Sequence, residues 1–286
     1  ALRPQRLWVP AIETLYRDPY AIFARHILDL APLEALAPGF TAADRGNLVH
    51  EALHASMRAD ADGDRHARLL AAGRTVFAPF MDDPEVAGFG WPGYLRIAAW
   101  LAGWEEARAA DTMRSSVEIS GALALTLGDA SAFRLTGRAD RIDLMRDGRL
   151  AVIDYKTGMP PGVAEVVTGR SPQLTLEAAM IAGGAFKDVP AGEVAELIYL
   201  RLSGRGAGGE ERAIQPKDQT LQALCEAHLA KLIETLTRYR DPAEGYLSRR
   251  MPRKRQEFGD YDHLARVKEW SETAGAADDD GEEGEA

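Results

Sequence analysis

Two short stretches decide most of what the sequence says about the fold: Gly137-Arg-Ala-Asp-Arg-Ile-Asp143 and Val152-Ile-Asp-Tyr-Lys-Thr-Gly158. Each is predicted to be part of a strand, and a short turn joins the two strands. Successive side chains of a strand point to opposite faces of a sheet, so Asp154 and Lys156 share one face. The first stretch brings Asp140 on the neighbouring strand. How the two strands pair therefore decides whether the two carboxylates meet.

The length of the intervening turn sets this pairing. A two-residue loop of Asp147 and Gly148 would place Asp140 opposite Tyr155. A three-residue loop over 146–148, with its glycine in the left-handed conformation, would place Asp140 opposite Asp154 instead.

The apolar residues distinguish the two registers. The three-residue loop pairs Ile142 with Val152 and Leu144 with Leu150, which gathers the apolar side chains on one face. A slip of one residue would scatter them over both faces. We therefore expect the three-residue loop.

In this register two carboxylates lie side by side, with Cβ atoms about 5 Å apart. Asp140 and Asp154 would repel one another unless a divalent cation bound between them, and hard oxygen ligands favour Mg²⁺, with Mn²⁺ as a substitute. Such an ion polarises a phosphate and lowers the pKa of an attacking water. Lys156 would hold that water or stabilise the pentavalent phosphorane. The pattern predicts phosphodiester cleavage.

These residues resemble those of the PD-(D/E)xK nuclease superfamily, and within it the RecB-like branch. Four pieces occur in the family's order: Gly46 to His50, Gly137 to Asp140, Asp154-Tyr155-Lys156 and Gln173. The resemblance implies an α/β (α+β) fold with a restriction-endonuclease-like core, a mixed central sheet flanked by helices, and helical N- and C-terminal additions. It also implies that the metal is held by the side chains of His50, Asp140 and Asp154 and by the backbone carbonyl of Tyr155. Catalysis would fall to Lys156, Asp154, Asp140 and Gln173.

The two ends of the chain also resemble one particular nuclease module. The segments Ile12–Tyr20 and Tyr261–Arg266 are similar to the opening and closing parts of the nuclease module of AddB-type subunits. This resemblance implies a magnesium-dependent deoxyribonuclease of exonuclease type, active in double-strand-break repair and homologous recombination. Its implied partners are DNA, an AddA-like helicase–nuclease subunit and the rest of its own longer chain.

The chain departs from many of these relatives in lacking their four cluster-binding cysteines. Asp18-Pro19 stands where they have Cys-Pro, and Tyr261-Asp262-His263 carries no cysteine. Cys225 is the one cysteine in the sequence, so we expect no iron–sulfur cluster.

A second metal motif offers a different function. His50-Glu51-Ala52-Leu53-His54 matches the helical His-Glu-x-x-His pattern of zinc metallopeptidases, with Glu51 as general base. A third ligand is missing from the usual place. In the nuclease interpretation His50 alone is a ligand, whereas His54 packs or faces solvent.

Three further polar residues and one further function remain open. Gln173 would face the ligand or solvent, and Glu118 would be an acid behind the metal ligands or an exposed strand residue. Glu177 stands where the family often has tyrosine. The chain could also be a catalytically silent structural or DNA-guiding module, although the intact Asp140, Asp154 and Lys156 argue against that.

Bulk properties indicate a cytoplasmic protein without a membrane span or secretory leader. The 286 residues carry 46% hydrophobic and 27% charged residues, as an ordinary globular protein does. The chain begins with alanine and enters structure at once, from which we expect a fragment of a longer polypeptide.

The charge balance opposes strong DNA binding. The net charge is −10, of which six acidic residues of the tail contribute −6 and residues 1–277 therefore −4. Basic patches at 249–250 and 253–255 locally oppose the repulsion between this negative charge and DNA. Because phosphate neutralisation dominates such affinity, the isolated chain should bind DNA weakly.

The resemblance and the periodicity together imply one nuclease domain over 1–270, with its core at about 41–57 and 115–203. The composition of residues 271–286 predicts a disordered acidic tail. The predicted helices lie at about 11–30, 41–57, 65–80, 94–113, 171–183 and 218–240. The predicted strands lie at 117–127, 132–144, 150–156 and 194–202.

Overall fold

The structure, a computed structural model of the chain, describes residues 2–32, 40–58, 64–248, 259–267 and 269. Its helices are α1 (Val9–Arg17), α2 (Pro19–His26), α3 (Ala42–Arg58), α4 (Arg65–Phe77), α5 (Trp91–Arg108), α6 (Val163–Val167), α7 (Gln173–Ala182) and α8 (Leu221–Arg238). Its strands are β1 (Arg6–Trp8), β2 (Thr112–Thr126), β3 (Ala132–Met145), β4 (Leu150–Lys156), β5 (Val194–Arg201) and β6 (Glu210–Ala213). A 3₁₀ turn (Ala78–Phe80) and a π-helical turn (Val86–Gly90) connect α4 to α5.

Within the described residues, six strands form one sheet. The sheet is mixed, as the resemblance implies. β2 pairs antiparallel with β3 along most of its length. The opposite edge of β3 is shared by β1, which is parallel, and β4, which is antiparallel. β4 and β5 are parallel neighbours, so the chain must cross over between them, and α6 and α7 lie in that crossover.

The hairpin between β3 and β4 has the predicted three-residue loop. Ile142 pairs with Val152 and Leu144 with Leu150. Gly148 has a φ of +87°, which a glycine adopts without the steric cost that a Cβ would add. The register expected from the apolar pattern is therefore confirmed.

Helices cover both faces of the sheet and make two apolar clusters. One cluster joins α1, α7 and α8 to the sheet and includes Val152 of β4. The other joins α3, α4 and α5 and includes Ile153 and Tyr155. Since side chains alternate along β4, Asp154 and Lys156 belong to the face covered by α7.

A capping box stands at the start of α3. The backbone N–H of Thr41 donates to Asp44 Oδ2 (2.8 Å), and the N–H of Asp44 donates to Thr41 Oγ1 (3.2 Å). Two groups that the helix leaves without partners are thereby satisfied.

Several details differ from the predicted elements. The single helix expected at 11–30 is two helices, because Asp18 precedes a proline and takes a non-helical conformation (φ −139°, ψ 78°). β1 and β6 were not predicted, since strands of three and four residues are too short to show a period of two. The short helix α6 was not predicted either. The helix expected at 94–113 ends at Arg108, and β2 begins at Thr112, before its predicted start at 117. The other elements agree with their predicted positions to within a few residues.

Among the described residues, no helix is both long and apolar enough to cross a bilayer. The expected acidic tail and the basic patches at 249–250 and 253–255 lie outside these residues.

Candidate active site

Lys156 lies at the end of β4 between a carboxylate and an amide. Its Nζ is 2.8 Å from Asp154 Oδ2 and donates to Asp154 Oδ1 and Gln173 Oε1, both at 3.0 Å. Gln173, at the first position of α7, donates from Nε2 to Asp154 Oδ1 (2.6 Å). Three of the residues predicted from the sequence are therefore in direct contact.

Asp140 lies one residue beyond the last pair of the β3–β4 ladder, Arg141 with Ile153. There the backbone N–H of Tyr155 donates to Asp140 Oδ2 (2.9 Å). His50, on α3, places its Nδ1 at 3.8 Å from the same oxygen. The sheet end thus collects groups from β3, β4, α3 and α7, while the ring of Tyr155 is buried on the α3 side.

Burial makes the charges of this site costly. Asp154 is 2% exposed, and burial raises its pKa to about 6, with Lys156 opposing the rise and Asp140 adding to it. Burial also raises the pKa of Asp140, although the charge of His50 opposes that rise. Burial would lower the pKa of Lys156, but the attraction of Asp154 outweighs burial and raises it.

A third carboxyl group lies behind this pair. Glu177 is 1% exposed, and burial together with Asp154 and Asp140 holds its pKa well above the ordinary value. Gln173 Nε2 lies within 3.4 Å of its Oε1. Helical periodicity places Glu177 one turn after Gln173, but only the packing of α7 on the sheet shows that it is buried.

This donor set fits a hard divalent cation. Asp140 and Asp154 offer oxygen ligands, and His50 offers an imidazole nitrogen. One lysine alone does not balance the three carboxyl groups of Asp140, Asp154 and Glu177. A bound cation would favour the ionised carboxylates, which burial disfavours in its absence.

Two motif glycines allow the helices to approach the site. A Cβ on Gly46 would lie 2.9 Å from Thr157 Oγ1, so this glycine brings α3 against the end of β4. A Cβ on Gly137 would lie 3.2 Å from Met180 Sδ and from Val9 Cγ2, so this glycine lets α7 and α1 pack on β3. Each glycine thus sets the position of a helix that carries a site residue or supports one.

We expect Gly46→Ala to lower any metal-dependent activity by about 10- to 100-fold, because displacement of α3 by a few tenths of an ångström moves His50 away from Asp140. Initial rates at saturating metal measure the effect. Adding Thr157→Ala removes the clashing oxygen, so the double variant should recover most of the activity. A double variant as slow as Gly46→Ala would contradict this account.

A second polar cluster adjoins the first. His54 Nε2 contacts Glu118 Oε1, and Arg138 Nε contacts Glu118 Oε2. His50, His54 and Glu118 bring one ligand atom each to within 4.8 Å of one another. Glu118, whose side chain is 5% exposed, is therefore not an exposed strand residue, and His54 contacts a carboxylate instead of facing solvent alone.

The chain belongs to the PD-(D/E)XK nuclease superfamily, whose profile matches residues 9–256. An uncharacterized protein of Rickettsia bellii (strain RML369-C) is 30% identical over 188 residues, which cover 64% of this chain and 22% of the relative. An uncharacterized protein of Rickettsia felis (strain ATCC VR-1525 / URRWXCal2) is 27% identical over 214 residues, which cover 71% of this chain and 24% of the relative. The chain thus spans less than a quarter of the length of these relatives.

In a comparison with solved structures, the crystal structure of SSO0001 aligns over 68% of this chain and 88% of the SSO0001 chain. It is 17% identical, and its TM-score is 0.28.

Membership in this superfamily favours a nuclease over the zinc peptidase suggested by the His-Glu-x-x-His pattern. Glu51, the base that a peptidase would need, is exposed on α3. Members of the superfamily typically use a divalent metal, in agreement with the donor set at the end of β4.

Proposed function

We propose that this chain is a magnesium-dependent deoxyribonuclease module that hydrolyses phosphodiester bonds, with Mn²⁺ as a substitute metal. The observation that carries the proposal is the direct contact of Lys156 with both Asp154 and Gln173, beside Asp140. Paired carboxylates and an adjacent cation are what cleavage of a charged ester requires.

The residues would divide the work as follows. Asp140, Asp154, His50 and the backbone carbonyl of Tyr155 would hold the metal, which supplies Lewis acidity and a more acidic water. Lys156, whose side chain is 32% exposed, would donate to the attacking water or to a phosphate oxygen. Gln173 orients both Lys156 and Asp154, because its side-chain amide accepts a hydrogen bond from Lys156 and donates one to Asp154.

We further propose that the module belongs to an AddB-type subunit of a helicase–nuclease for double-strand-break repair. Support comes from the four ordered motif pieces and from the similar terminal segments Ile12–Tyr20 and Tyr261–Arg266. Relatives more than four times the length of the aligned part agree with a module within a larger chain. An AddA-like partner would hold the DNA nearby and so compensate for weak binding by a chain of net charge −10.

Metal affinity should depend on pH in one direction. The pKa of Asp154 is raised to about 6, so protons compete with the metal below that value and not above it. We expect Mg²⁺ affinity to be constant above about pH 7 and to fall about tenfold by pH 5. Calorimetric titrations at several pH values measure this, and an affinity that rises on acidification would contradict it.

The proposed activity is tested with end-labelled linear DNA and closed circular DNA, each with Mg²⁺, Mn²⁺ or EDTA. An exonuclease of this kind should degrade the linear DNA only, and EDTA should stop it. Binding to the linear DNA should weaken steeply as salt rises. Binding of Mg²⁺ without cleavage of either substrate would favour the silent module. Cleavage of the circle would replace the exonuclease with an endonuclease.

A further inference from the structure

His54 and Glu118 form a second place where a cation fits, next to the site of His50 and Asp140. His50 and His54 are one helical turn apart on α3, and their rings meet edge to face with centroids 6.4 Å apart. Glu118, on β2, meets His54 from the sheet. The ligand atoms of the three residues lie within 4.8 Å of one another.

The backbone of Glu118 is strained in a way that presents its carboxylate. Its φ is +48°, although it lies inside a strand and is neither glycine nor asparagine. The β2–β3 ladder pairs Val117 with Arg141 and Ile119 with Ala139 and omits Glu118 between them. Such a conformation costs roughly 1–3 kcal/mol and is typical of functional sites.

The donors at this place differ from those of the magnesium site. Two imidazoles and one carboxylate favour zinc, whereas oxygen-rich sites favour magnesium. Ligands of one tetrahedral zinc lie roughly 3.4 Å apart, and the ligand atoms of the three residues already lie within 4.8 Å of one another. Arg138 occupies the other oxygen of Glu118, so Oε1 is the oxygen directed at His54.

We propose that His50, His54 and Glu118 bind a zinc ion, with water as the fourth ligand. In such a site the ion would lie between His54 Nε2 and Glu118 Oε1. Because His50 is also the imidazole next to Asp140, zinc at this site withdraws it from the magnesium site. Zinc therefore inhibits the magnesium-dependent activity.

The test measures zinc binding directly. The metal-free chain is titrated with Zn²⁺ against a chromophoric chelator, and with Co²⁺ while the visible d–d bands that report coordination geometry are recorded. We expect one tight zinc ion and tetrahedral cobalt bands. His54→Ala and Glu118→Gln should each weaken zinc binding at least about tenfold, since each removes or weakens one of three ligands.

Two controls separate this site from its surroundings. Glu51→Ala changes an exposed residue of the same helix and should leave zinc affinity unchanged. Asp154→Asn damages the magnesium site and should also leave zinc binding intact, so the result does not depend on nuclease activity. If His54→Ala fails to fold, Glu118→Gln still tests the site, because glutamine keeps the shape of the glutamate side chain.

Zinc binding that survives both His54→Ala and Glu118→Gln would overturn the proposal. Loss of zinc in Asp154→Asn would place the ion at the magnesium site instead and overturn it equally. Octahedral cobalt bands, or no zinc binding at micromolar concentration, would show that His54, Glu118 and Arg138 form only an ion-pair network.

Discussion

Lys156→Ala should reduce DNA cleavage by at least about 100-fold, the size of effect expected when one donor to the developing charge is removed. The lysine side chain is 32% exposed and reaches the carboxylate of Asp154 at the end of β4, where a phosphate would lie. Single-turnover cleavage of labelled linear DNA at saturating Mg²⁺ measures the loss.

The measurement requires a correction for metal binding. Without Lys156, the buried Asp154 loses its cationic partner and its pKa rises further, which weakens the metal site as well. Rates should therefore be compared near pH 8 across a range of Mg²⁺ concentrations. Lys187→Ala, at an exposed lysine, is the matched control. Cleavage by Lys156→Ala at the rate of the control would remove the lysine from the reaction.

Asp154→Asn should weaken Mg²⁺ binding at least 10- to 100-fold, an effect known even for groups behind metal ligands. Asparagine keeps the shape of the side chain and can still accept hydrogen bonds, so the variant removes a charge with little change in packing. Isothermal titration calorimetry gives the affinity, and thermal unfolding in EDTA checks the fold.

Asp147→Asn is the matched control for that experiment, because Asp147 lies exposed in the hairpin loop a few residues from the same strand. It should bind Mg²⁺ as the unchanged chain does. Equal affinities of Asp154→Asn and this control would show that Asp154 does not contact the ion.

The fold around the hairpin could be predicted because its determinants are local. Ile142, Leu144, Leu150 and Val152 restrict the register by themselves, and a glycine marks the loop. The capping box at Thr41 and the first-turn position of Gln173 were predictable for the same reason. Each depends on residues no more than about ten positions apart.

The surroundings of the site could not be predicted in this way. The contact of His54 with Glu118 joins residues 64 positions apart and depends on how α3 lies over β2. The burial of Glu177 depends on how α7 packs on the sheet. One signal was available: if β2 and β3 pair around the turn near Asp129, Glu118 falls opposite Asp140.

The three-residue hairpin loop makes this site sensitive to a kind of change that substitutions do not test. Asp140 and Asp154 lie on either side of one turn, so inserting or deleting a single residue there shifts one strand against the other and exchanges its two faces. Residue types at the first two loop positions can vary, whereas the loop length cannot change by one without separating the carboxylates. In a sequence collection, we therefore expect loop length to distinguish intact sites from decayed ones even where both aspartates are retained.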